Sequence, residues 1–137
     1  MSGTVCVDTS ALLAVANPRD QYHAVAVATA REHLDSGGRF IGSVLVLGEL
    51  HGHLLQRRGA APARTVLGAL LNDPAYAWEP VTPRLITDAI TNWLEQFSDQ
   101  RFSLTDAVSF ALMRANRLDT AFAYDDDFRT AGFWMLD

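Results

Sequence analysis

The sequence predicts an α/β fold, a parallel sheet flanked by helices, built as a single domain over residues 1–137. Three observations carry that prediction. Short apolar runs at 4–7, 39–42, 76–81, 120–124 and 133–136 have strand length. Between the first four lie segments of helical spacing, long enough to cross back over a sheet. The first and fourth runs end in acids, Asp8 and Asp125, and open parallel sheets bind ligands beyond the carboxyl ends of their strands.

Each element has its own local signal. Val5, Cys6 and Val7 read as a buried strand that stops at Asp8. Asp8, Thr9 and Ser10 supply capping residues for a short helix over 11–16, which ends near Asn17 and Pro18. Residues 20–34 are rich in alanine and valine at helical spacing, and Ser36, Gly37 and Gly38 close that helix. After the strand at 39–42, Ser43 predicts an N-cap for a helix over 44–57. Its apolar stripe is Val46, Leu47, Leu50 and Leu54, with Glu49 beside the stripe. Gly59 ends it, and Pro62 opens a helix that reaches Leu71.

The second half continues the alternation. Thr82 and Pro83 start an amphipathic helix marked by Ile86, Ala89, Ile90, Trp93, Leu94 and Phe97. In the helix over 103–117, Leu104, Ala107, Val108, Ala111, Leu112 and Ala115 make one stripe. Phe110 and Met113 make a second, on the side that carries Asp106, which predicts burial from two directions. Strand 120–124 runs into Asp125, Asp126 and Asp127; Asp125 or Asp126 caps a single helical turn that Gly132 closes.

Composition narrows the function. An apolar content of 49% with 20% charged residues suits a globular fold. No apolar run approaches the roughly 20 residues that span a bilayer, so no membrane association is expected. The N-terminus has no basic region ahead of its apolar residues, and the single Cys6 has no intramolecular partner. Both point to the cytoplasm. All the basic residues are arginines, which removes every mechanism that needs a P-loop or Schiff-base lysine. The net charge of −5 gives no overall basic footprint for nucleic acid, unless acids gather in one metal pocket with arginines around it.

Every acid also has a structural reading. Asp8 suits an N-cap, and Ser103 with Asp106 fits a capping box. Glu49 could be a solvated helix acid, and Asp125 to Asp127 could face the positive end of the next helix. Three consecutive carboxylates exceed that need, and they repel one another unless a cation lies between them. Together, Asp8, Glu49, Asp106 and Asp125 make a candidate site for Mg2+ or Mn2+, hard cations that prefer oxygen ligands. Thr9 and Ser10 either cap or steady that site. His51 and His53, two apart on a helix, make a poor metal pair, and Cys6 reads as buried filler. Trp78, Trp93 and Trp134 read as core or dimer-interface residues.

In order, Asp8-Thr-Ser, Glu49, Ser103-Leu-Thr-Asp106-Ala-Val-Ser-Phe and Phe122-Ala-Tyr-Asp125-Asp-Asp-Phe-Arg-Thr-Ala-Gly-Phe133 resemble PIN-domain ribonucleases, above all the VapC-type toxins. The resemblance implies a PIN-like three-layer fold and a metal-dependent endoribonuclease. It also implies a homodimer, an RNA substrate and an inhibitory antitoxin. It assigns Asp8, Glu49, Asp106 and Asp125 to the acidic quartet. Asp127 falls where the family varies, Asp126 has no counterpart role, and Tyr124 stands where phenylalanine is common. Hydrolysis would leave 5′-phosphate and 3′-hydroxyl ends, with Arg101, Arg117 and Arg129 as arginines near the acidic motifs.

Three alternatives stand beside this reading. A haloacid-dehalogenase-like phosphatase needs an acid where Ser10 stands, and a lysine the chain lacks. A housekeeping RNA-processing PIN nuclease and a non-catalytic pocket for a basic peptide both remain compatible with the residues.

Overall fold

In chain order the elements are β1 (Thr4–Val7), α1 (Thr9–Ala16), α2 (His23–Asp35), β2 (Arg39–Ser43), α3 (Val44–Arg58) and α4 (Ala60–Asn72). They continue with β3 (Tyr76–Glu79), α5 (Pro83–Ala89), α6 (Leu104–Ala115), β4 (Thr120–Phe122), α7 (Asp127–Thr130) and β5 (Trp134–Met135). This computed structural model describes residues 3–137. The expectation about an N-terminal leader turns partly on Met1 and Ser2, which lie outside the described residues.

The strands form one parallel sheet in the order β3-β2-β1-β4-β5. The chain winds outward from β1 to β3, then returns to β1 and winds the other way. The direction therefore reverses between β1 and β4, and a crevice opens there at the carboxyl edge. Side-chain alternation splits the core in two. Val5, Val7, Phe40 and Phe122 face α1 to α4, while Cys6, Ile41, Ala121 and Ala123 face α5, α6 and α7. This is the predicted three-layer arrangement.

α6 is the most deeply set helix: every residue from Thr105 to Met113 is buried. Phe110 lies within 5.2 Å of Trp93, 5.0 Å of Phe102 and 4.9 Å of Phe128, measured between ring centroids. The two apolar stripes thus both find partners, and Asp106 is carried inward with the second. α5 runs into a π-helical turn at Ile90–Leu94 that places Trp93 in this aromatic cluster.

Several boundaries differ from the sequence reading for local reasons. α2 starts at His23 rather than Asp20, because the Asn17 and Asp20 side chains accept from backbone amides two residues on and hold a turn. β3 stops at Glu79, where its partner β2 ends at Ser43. Ser43 occupies the N-cap position of α3, yet its hydroxyl makes no capping bond and is buried without a partner. Gly59 ends α3 as predicted, with a φ of 93° that side-chain-bearing residues rarely adopt. α4 begins at Ala60, two residues before Pro62. Trp93 is core, whereas Trp134 is 73% exposed on the edge strand. No helix among the described residues is long and apolar enough to cross a membrane.

Candidate metal centre

The crevice between β1 and β4 collects the acids singled out above. Asp8 follows β1 and caps α1, its Oδ2 accepting from the Ser10 amide at 3.1 Å and the Ser10 hydroxyl at 2.6 Å. The same Ser10 Oγ accepts from the Tyr124 amide at 2.9 Å. One hydroxyl therefore braces the ends of both strands, and capping and site-building are the same contact. Ser10→Ala is expected to cost about 1–3 kcal/mol, because it strips a partner from both groups. Urea unfolding reads this directly, and an unchanged midpoint would remove the brace from the account.

Glu49 reaches the cleft from α3, where its Oε1 accepts from the Thr9 hydroxyl at 2.8 Å. Asp106 enters from the first turn of α6. It forms the capping box that the sequence signals: its amide donates to Ser103 Oγ at 3.0 Å, and its Oδ2 accepts from the Ser103 amide at 3.5 Å. Asp125 follows β4, and its Oδ1 accepts from the Asp127 amide at 2.8 Å. This tight turn folds Asp127 back toward Asp106. Asp126 points away, paired with Arg129 at 3.0 Å on the exposed side.

Two overlapping groups result. One oxygen from each of Asp106, Asp125 and Asp127 lies within 4.8 Å of the others. Asp8, Glu49, Asp106 and Asp125 line one cleft of about 350 Å3. Asp127, whose assignment the resemblance left variable, belongs to the tight group. Glu49 sits on the wall, tied to Thr9. The cleft wall also includes His53, one turn beyond Glu49 on α3 and absent from the candidate set. The signal for it is the spacing of four from Glu49, which aligns the two on one helix face.

The acids destabilise one another's charge. Burial, followed by the field of Asp125, raises Asp8 from an ordinary 3.8 to about 6 despite the hydrogen bonds from Ser10. Burial, then the charges of Asp8 and Asp125, raises Asp106 to about 7, and its carboxyl hydrogen-bonds to that of Asp127. Asp127 is raised by burial and by Asp125. The only ion pair among the described residues, Arg129 with Asp126, lies outside the cleft. Such a site holds hard oxygen donors, excess negative charge and no balancing side-chain cation. That donor set fits Mg2+ or Mn2+ and not a soft thiophilic metal.

Fold and cleft together define an α/β protein with a cluster of carboxylates at its sheet switch point. Residues 5–133 match the PIN domain, and the chain belongs to that family. It is 34% identical over 129 residues to the 23S rRNA-specific endonuclease VapC20 of Mycobacterium tuberculosis, in both strain CDC 1551 and strain H37Rv. The match covers 94% of this chain and 95% of that protein. The crystal structure of M. tuberculosis VapC20, described as a sarcin–ricin loop cleaving toxin, superposes with a TM-score of 0.81 at 32% identity. It covers 94% of this chain and 95% of that one. VapBC2 from Rickettsia felis, solved bound to a promoter DNA fragment, shares the fold at a TM-score of 0.68 and 14% identity, over 98% and 97% of the two chains. The chain is thus a homologue of VapC-type endoribonuclease toxins.

Proposed function

We propose that this protein is a divalent-cation-dependent endoribonuclease, the toxin of a VapBC-type pair, and that it cuts 23S ribosomal RNA at the sarcin–ricin loop. One observation carries the reading. A cleft walled by four carboxylates lies at the sheet switch point of a chain aligned almost end to end with an rRNA-specific endonuclease.

Asp106, Asp125 and Asp127 would hold Mg2+ or Mn2+, with Asp8 and Glu49 completing the acidic wall. A cation there supplies Lewis-acid polarisation of a phosphodiester and lowers the pKa of water. The protein's own part is positional. The α6 capping box fixes the Asp106 carboxyl, Ser10 fixes Asp8, Thr9 fixes Glu49, and the Asp125 turn presents Asp127. Burial of Asp8 and Asp106 keeps bulk water from screening their charge.

The toxin acts as a homodimer, and its cognate antitoxin silences it by placing a basic side chain against these acids. Both statements rest on the family likeness. Sequencing RNA 5′ ends after incubating bacterial ribosomes with the protein tests the proposal. With Mn2+, one dominant new 5′-phosphate end is expected in the sarcin–ricin loop, and EDTA should abolish it. Scattered ends would replace the substrate while keeping the nuclease. No new ends would contradict the enzyme itself.

A further inference from the structure

A phosphate approaching this cleft meets carboxylates on nearly every side, so a donor that can receive it stands out. Among the residues lining the cleft, His53 alone carries a side-chain nitrogen. The hydroxyls of Thr9 and Ser10 already donate to Glu49 and Asp8, and the Ser103 hydroxyl is held at the α6 N-cap, where it accepts from the Asp106 amide. His53 is exposed and sits one turn beyond Glu49 on α3, with Arg57 one turn further on the same face.

The contact between His53 and Arg57 orients the ring. An Arg57 guanidinium nitrogen lies 2.9 Å from His53 Nδ1. A guanidinium has only donors, so Nδ1 must accept and the ring proton must sit on Nε2. With Nδ1 occupied by Arg57, Nε2 is the ring nitrogen left free to donate. Arg57 keeps its other N–H groups and its charge beside the ring.

We infer that the Glu49–His53–Arg57 face of α3 is the phosphate-receiving wall of the cleft, with His53 Nε2–H donating to a backbone phosphate beside the cut. Arg57 is the positioning residue: it occupies Nδ1, orients the ring and places a positive charge next to that phosphate. The inference rests on the nuclease reading for its substrate class. It also explains how a chain with net charge −5 brings RNA to an acidic centre. By this geometry Arg57 serves the substrate, while Arg129 is engaged by Asp126.

Binding and cleavage separate this inference from the reading beneath it. The probe is a fluorescein-labelled RNA hairpin carrying the sarcin–ricin sequence, titrated by anisotropy with Ca2+ replacing Mg2+, at several salt concentrations. Cleavage is run in parallel with Mn2+. His53→Ala should weaken binding about tenfold, the scale of one hydrogen bond to a charged group, without changing the salt dependence. His53→Gln, which keeps an N–H donor, should recover most of the loss. Arg57→Ala should weaken binding and lower the log–log salt slope by about 0.7, the signature of one lost phosphate charge on a single strand.

Both residues are exposed, so circular dichroism and melting temperature should stay at wild-type values. Equal affinity of His53→Ala and wild type would overturn the inference even where wild type cleaves normally. An unchanged slope for Arg57→Ala would overturn the role of Arg57. If wild type binds but fails to cleave, the nuclease reading falls while the wall is still judged by the same affinities. If wild type does not bind the hairpin, both fall.

Discussion

Asp106→Asn is expected to abolish Mn2+-dependent RNA cleavage, by more than about a hundredfold, while leaving the protein folded. Even groups that only support a metal ligand typically change affinity or activity 10- to 100-fold, so a direct ligand should exceed that. The substitution is informative because Asp106 does two jobs. It completes the capping box with Ser103 and lies in the tight group with Asp125 and Asp127. An asparagine oxygen can still accept from the Ser103 amide, so the cap survives. What disappears is a negative charge against a cation. A cap alone is worth only about 1 kcal/mol, so Asp106→Asn with full activity and ordinary stability would reduce this residue to a helix cap. Gel-based initial rates over a Mn2+ series provide the comparison.

The second large effect is on stability, and its sign is opposite to that of an ordinary salt-bridged acid. Asp8 moves from 3.8 up to about 6 on folding, and Asp106 moves up to about 7. The folded state therefore binds more protons than the unfolded state between these limits. Stability must then fall as pH rises from about 4 to about 7, and level off above that window. Taken to order of magnitude, the combined shifts amount to a few kcal/mol, on the order of 10 °C in melting temperature for a chain of this size. A divalent cation in the cleft should reverse the loss, since it binds the folded protein only and favours the ionised carboxylates. Scanning calorimetry from pH 4 to pH 8, in EDTA and in Mn2+, reads both effects. In EDTA, Asp106→Asn should flatten the slope and melt above wild type at pH 8. A metal-free melting temperature that rises across this range would contradict the mutual repulsion of these acids.

Much of this was legible in the residues. The strands and their parallel arrangement followed from short apolar runs separated by helical spacing. The site followed from acids at the ends of β1 and β4, because the end of an apolar strand is where a carboxylate reaches the crevice. The double burial of α6 followed from its two stripes. What the sequence could not show was how the acids are grouped in space. Asp127 joins the tight group because the Asp125 carboxylate binds the Asp127 amide and turns the chain back, a contact that spacing alone does not dictate. Glu49 stands on the wall because Thr9 holds it. His53 shares no helix face with His51, two residues away; its signal lies in Glu49 and Arg57, each four away. The length of β3 and the start of α2 depended on where β2 ends and on side-chain turns, neither of which periodicity records.

The central claim is that these carboxylates form one cation site. Calorimetric titration of Mn2+ into the wild-type protein, and into the single variants Asp106→Asn and Asp125→Asn, tests it most directly. The account predicts saturable binding by wild type, tighter at pH 8 than at pH 6, and loss of that binding in both variants. Wild-type affinity retained in both variants would contradict it.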